Sequence, residues 1–176
     1  MELEKRINAF VELGKFLTQF EQIDPVKDSS VKYNDLFFDG FKHQLKLAEE
    51  TNAEMLCIGT ELEQFVVNRP DYWNDLIKKI KTVYKGKLTY AANWDEFKRT
   101  PFWGQLDYIG VDAYFPVSDS QTPSIEECRE GWQKHKSEIE SFSKKFDKPI
   151  LFTEFGYRSV DYSAKEPWKS DRYEDD

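Results

Sequence analysis

Residues 55–61, Met-Leu-Cys-Ile-Gly-Thr-Glu, form a short apolar run that ends on a carboxylate, and residues 150–154, Ile-Leu-Phe-Thr-Glu, repeat the pattern. Runs of this length without polar alternation read as strands buried on both faces, as in a parallel sheet covered by helices. An ionisable group at the tip of such a strand is costly to place unless something uses it. The chain places one at Glu61 and another at Glu154.

Helix and strand patterns alternate between and around these runs. Pro70 opens a helix with Trp73, Leu76, Ile77, Ile80 and Val83 on one face, and Gly86 reads as its stop. A strand is expected over 88–92, a short helical piece around 94–99, and a strand over 106–112. Thr122 and Pro123 read as the N-cap and first-turn proline of a long helix striped by Ile125, Cys128, Trp132, Ile139, Phe142 and Phe146. Upstream, Phe37, Phe38, Phe41, Leu45 and Ala48 mark a helix leading into Met55. Still earlier, Leu3, Ile7, Phe10, Leu13, Leu17 and Phe20 recur at helical spacing before Asp24-Pro25 and a polar linker. The reading is thus an N-terminal helix and linker over 1–30 and an α/β domain over 31–176. Residues 159–176 are polar, contain Pro167-Trp168 and end in acidic residues, which fits a lid segment or a frayed end.

Composition narrows the function. The chain has 176 residues, 39% hydrophobic and 16% aromatic, enough for a real core. A net charge of -8 argues against nucleic acid or an anionic membrane as partner and suits a neutral or cationic substrate. The start lacks an apolar signal region and no stretch approaches the roughly 18 apolar residues of a membrane span, so the chain as written reads as soluble and unexported. Cys57 and Cys128 form no C-x-x-C and read as buried free thiols. His43 and His135 lack metal-ligand partners at useful spacing, and His135 reads as a core histidine, so neither metal nor cofactor is expected. Glu63 reads as a solvated helix-start charge, Trp73 and Trp132 as core, and Lys78-Lys79-Ile80-Lys81 as a solvated helix face. Nucleotide-binding, serine-hydrolase and zinc-protease motifs do not occur.

In parallel α/β folds the loops after the strands' C-terminal ends gather on one face. Here that face receives Thr60 and Glu61, then Asn93 and Trp94, then Asp112 and Tyr114, and finally Glu154 with Tyr157 and Arg158. Two carboxylates serve glycoside hydrolysis when one is protonated to donate to the leaving oxygen and the other is ionised to attack. Their environments must push the two pKa values apart. Trp94, Tyr114 and Tyr157 offer flat surfaces for sugar rings with polar handles for hydroxyls, and Asn93 can both donate and accept. Asp112 either meets the substrate or merely caps a loop or holds a neighbouring side chain.

The stretches CIGTELE, LTYAANWDEF, LDYIGVDAYFP and ILFTEFGYRS resemble the fourth to seventh strands of glycoside hydrolase family 113, a (β/α)8-barrel family of clan A whose characterised members are β-mannanases. The resemblance implies Glu61 as general acid/base, Glu154 as nucleophile, Tyr114 as a hydrogen-bond partner of the nucleophile, and Asn93 and Trp94 in the sugar subsites. Thr60 stands where many clan A enzymes have asparagine. The implied fold is a partial TIM barrel of about four parallel strands with covering helices. A full barrel takes about 250 residues, and counterparts of the first three strands and the eighth are missing. The chain therefore reads as a truncated product, one piece of a split barrel, or a half-barrel that self-associates through its open edges. The expected function is retaining hydrolysis of a β-linked hexose polymer, foremost β-1,4-mannan, with carbohydrate as the partner. The alternatives are a non-catalytic carbohydrate-binding remnant and a half-barrel interaction module.

Overall fold

The computed structural model describes residues 33–169, with side chains from Phe41 onward. The expected N-terminal helix and linker lie outside these residues. The elements in order are α1 (Tyr33–Glu50), β1 (Met55–Thr60), α2 (Glu63–Asn68), α3 (Pro70–Val83), β2 (Lys87–Asn93), a 3-10 turn (Trp103–Gln105), β3 (Ile109–Asp112), α4 (Ile125–Phe146) and β4 (Ile150–Glu154). No described helix is long and apolar enough to cross a membrane. The described residues divide into two compact units, 33–56 with 70–86 and 57–69 with 87–169.

In the first unit α1 packs on α3. Leu45, Ala48, Trp73, Leu76, Ile77 and Ile80 are buried, each large side chain contributing about 1.5–3 kcal/mol by leaving water. Asn52 takes a left-handed backbone just past α1, and the Tyr84 hydroxyl donates to the Ala53 carbonyl at 2.6 Å. Gly86 does not stop α3 through a left-handed turn, since no described glycine has positive φ. A Cβ there would lie 2.1 Å from the Tyr84 hydroxyl, so the missing side chain makes room for that ring.

In the second unit the sheet order is β1-β2-β3-β4. β2 and β3 run parallel with Asn93 opposite Asp112. β3 and β4 also run parallel, but a slip between Val111 and Asp112 moves the register from Val111 opposite Phe152 to Asp112 opposite Glu154. Such irregularities re-aim side chains and recur beside active sites. The all-buried strand pattern holds for β3 and nearly all of β2, whereas β1 and β4 are only partly covered. Cys57 is consequently exposed and Cys128 half-buried, which corrects the expectation of two buried thiols. In β1 only Ile58 is buried, so the face bearing Cys57 is open.

Three local expectations are also corrected. Residues 94–99 form turns instead of a helical piece. The side chains of Asn93 and Glu96 there accept the N–H groups of Trp94 and Asn93, and the Asn93 carbonyl accepts those of Glu96 and Phe97, so the segment closes as local turns. β3 starts at Ile109 because Asp107 folds back onto Leu88, its carboxylate accepting the Leu88 N–H at 2.8 Å while its own N–H donates to the Leu88 carbonyl. The N-cap of α4 is Ser124, not Thr122. Ser124 and Glu127 make a reciprocal capping box, and Asp147 ends the helix in the left-handed region. The helix stripe is covered only in part, with Ile125 67% exposed while His135 and Ile139 are buried.

Candidate functional site

The strand ends open into a cleft of about 590 Å³. Glu61, Asn93, Tyr114 and Glu154 line it from four successive strand ends, joined by Tyr157 and Arg158. Thr60 and Trp94 stand outside the lining and Asp112 lies beneath it, only 1% exposed.

Glu61 follows β1 with φ of 51°, in the left-handed region that an L residue adopts at a cost of about 1–2 kcal/mol. Its N–H donates to the Ala91 carbonyl on β2 at 2.8 Å. Although the residue is exposed overall, partial burial of its carboxyl is the main cause lifting its pKa above the ordinary value, followed by the negative charges of Asp112, Glu154, Glu96 and Asp95. Glu154, at the tip of β4, accepts a hydrogen bond from the Tyr114 hydroxyl at 3.1 Å. Burial and that bond to Glu154 keep the Tyr114 phenol protonated.

Asp112 ends β3 and is buried. Its Oδ1 accepts from the Thr153 hydroxyl at 2.6 Å, and its buried Oδ2 has no hydrogen-bond partner among the described residues. Burial lifts its pKa, the Thr153 bond pulls it down, and Glu154 lifts it again. Asn93 spends its Oδ1 on the Trp94 N–H at 2.8 Å, which leaves the amide nitrogen to offer. The Tyr157 ring faces the cleft 44% exposed, but its hydroxyl donates to the Phe115 carbonyl at 2.5 Å. Burial of that hydroxyl pushes its pKa up to about 12. The polar handle expected of Tyr157 is therefore used internally.

Sequence reasoning missed the lining side chains of Pro167, Trp168 and Lys169. Trp168 stacks on Trp94, with ring centroids 5.5 Å apart and 22° between planes, and stays 45% exposed toward the cleft. Arg158 donates from its guanidinium to the Lys169 carbonyl, tying the Pro167-Trp168 segment to the end of β4. The described part of the polar tail is thus a wall of the site. The signal was the lone Pro-Trp pair in a polar stretch. His135 is buried as expected among Phe115, Trp94 and Trp132, with Nε2 2.7 Å from the Pro116 carbonyl. Glu63 is ion-paired with Arg99 and not simply solvated. No cluster of His, Cys, Asp and Glu among the described residues is arranged to hold a metal.

Comparison with known proteins follows the same lines. The family model for Glycoside Hydrolase Family 113 matches residues 15–175. Two solved β-1,4-mannanases of that family are similar, at 30% identity with TM-score 0.58 and 31% with 0.57, covering 69% and 68% of this chain. A third, a β-mannanase from Alicyclobacillus acidocaldarius, has a TM-score of 0.65 at 22% identity over 84% of this chain and so speaks for the fold. No curated protein matches. The chain spans 35% of the first two structures' chains and 43% of the third, so its sheet is a partial (β/α)8 barrel. Four parallel-type strand ends with their family motifs, and a family match over nearly the whole sequence, lead to one conclusion: the chain belongs to glycoside hydrolase family 113.

Proposed function

We propose that this chain carries the catalytic pair of a retaining hydrolase of β-1,4-mannan. The observation that carries the reading is that Glu61 and Glu154 open into one cleft from the ends of β1 and β4. Glu61 has its pKa raised by burial and by the surrounding carboxylates, while Glu154 accepts the Tyr114 hydrogen bond. In the proposed reaction Glu61 gives its proton to the glycosidic oxygen as that bond breaks. Glu154 attacks the anomeric carbon and forms a glycosyl ester. Glu61, now ionised, takes a proton from water, which attacks the anomeric carbon and releases Glu154. The similar solved structures are named as β-1,4-mannanases, which supports mannan as substrate.

The test is reducing-sugar release from β-1,4-mannan by the wild type, Glu61→Ala and Glu154→Ala. Both variants should lose hydrolysis. Added azide should then trap a product of retained configuration with Glu61→Ala and of inverted configuration with Glu154→Ala. Undiminished release by Glu154→Ala would overturn the assignment. The exposure of Glu61 and Glu154 favours a second reading, sugar binding without turnover. Mannan-oligosaccharide affinity with no release by the folded wild type would select it.

A further inference from the structure

Glu61 is one of four described non-glycine residues with positive φ. Such conformations persist only where neighbours over-determine them. The neighbours are specific. The Glu61 N–H is taken by the Ala91 carbonyl, and the next one along, of Leu62, donates to the Tyr90 hydroxyl at 2.6 Å. Tyr90 is fully buried on β2, and its own proton goes to Oε1 of Glu96 at 2.7 Å. The second oxygen of Glu96 accepts the Asn93 N–H at 3.1 Å. Glu96 is 2% exposed, an unusual place for a carboxyl without a purpose.

We propose that Tyr90 and Glu96 are positioning residues for Glu61. The chain Glu96 to Tyr90 to Leu62 clamps the turn after β1 to β2, and so aims the Glu61 carboxyl into the cleft. Phe102 meets the Tyr90 ring edge-on at 5.5 Å and Trp103 lies at 6.1 Å, which fixes the ring and therefore the hydroxyl. Glu96 also works through its charge, as one of the carboxylates that burden Glu61. The others are Asp112 from β3, Glu154 from β4 and Asp95 from the turn after β2. Around Glu96 itself stand Tyr90, Glu63 and Arg99. This assignment rests on the proposed role of Glu61, but the clamp can be read without catalysis.

The experiment compares the full chain with its Tyr90→Phe, Glu96→Gln and Glu61→Gln variants. Carbon-13 NMR of the glutamate carboxyls across pH reports the Glu61 midpoint, identified by the signal lost in Glu61→Gln. Both Tyr90→Phe and Glu96→Gln are near-isosteric, and near-UV circular dichroism verifies that each retains its fold. The Glu61 midpoint should fall in Glu96→Gln, where a facing charge is gone, and in Tyr90→Phe, where the turn is released toward water. In hydrolysis kcat should drop about tenfold in each with KM nearly unchanged, and the alkaline limb should move with the midpoint. Midpoints equal to wild type in both folded variants overturn the proposal. If one variant does not fold, the midpoint in the other decides. Shifted midpoints in a chain that never hydrolyses mannan overturn the functional reading and leave the clamp standing.

Discussion

The Tyr114 hydroxyl donates to Oε2 of Glu154 across 3.1 Å, and the slip between Val111 and Asp112 sets Asp112 opposite Glu154, two residues before Tyr114. The Ala113 N–H then donates to the Glu154 carbonyl at 2.7 Å, so the backbone and the side chain of Glu154 are both held by the segment after β3. Tyr114→Phe removes the side-chain tie alone. A hydrogen bond to a charged group contributes about 1.5–3 kcal/mol, so kcat on mannan should fall roughly 10- to 100-fold. The thermal midpoint should barely move, because the bond lies at an exposed position. Full activity in Tyr114→Phe would argue against Glu154 as the attacking group.

Trp168 offers one face to Trp94 and keeps much of its surface in the cleft. An indole fixed in this way is a platform for a pyranose ring. Trp168→Ala should raise KM for manno-oligosaccharides about tenfold with a smaller change in kcat, as expected when binding is lost equally from ground and transition states. Steady-state kinetics on a defined oligosaccharide separates the two constants. A lowered kcat with an unaltered KM would place the platform's effect in the transition state instead.

The strand ends were legible because they obey a local rule: an apolar run is followed at once by a polar group, as at Thr60-Glu61, Asn93, Asp112 and Glu154. Tyr90 and Glu96 were not. A tyrosine inside an apolar run reads as core, and it is core. Its hydroxyl acquires a role only when the turn at 93–96 brings Glu96 back to it and β1 delivers the Leu62 N–H. Likewise the exposure of Cys57 depends on what covers one face of β1, which no local pattern encodes. The cap of α4 was a contest between two local signals, Thr122-Pro123 and Ser124-x-x-Glu127. The second satisfies two backbone N–H groups at once and prevails.

That contest can be measured. Ser124→Ala should cost about 1 kcal/mol of unfolding free energy, read from urea midpoints, whereas Thr122→Ala should lie within about 0.5 kcal/mol of wild type. The Ser120 hydroxyl, the Ser124 N–H and the Ser124 hydroxyl hold the Glu127 carboxyl below its usual range. Its contribution is therefore present above its unfolded pKa and lost as pH falls through the lower folded one. The penalty for Ser124→Ala should accordingly shrink in acid. Equal penalties for Thr122→Ala and Ser124→Ala would mean that the helix starts earlier in solution.

Asp112 has the opposite sign. Burial and the charge of Glu154 raise its folded pKa above the unfolded value of about 3.9, against the Thr153 bond that lowers it. A carboxyl with a raised folded pKa adds stability that is fully present below the unfolded pKa and is lost as pH rises through the folded one. Asp112→Asn keeps the shape and the Thr153 contact but cannot ionise. Its melting temperature relative to wild type should therefore climb as pH rises above the unfolded pKa and through the raised folded one, since only the wild-type group can take on a charge beside the unpartnered Oδ2. Thr153→Val should do the reverse. Without the hydroxyl that stabilises the ionised form, its deficit relative to wild type should grow over the same interval. A pH-independent difference in both variants would show that Asp112 stays in one protonation state throughout, against the raised folded pKa.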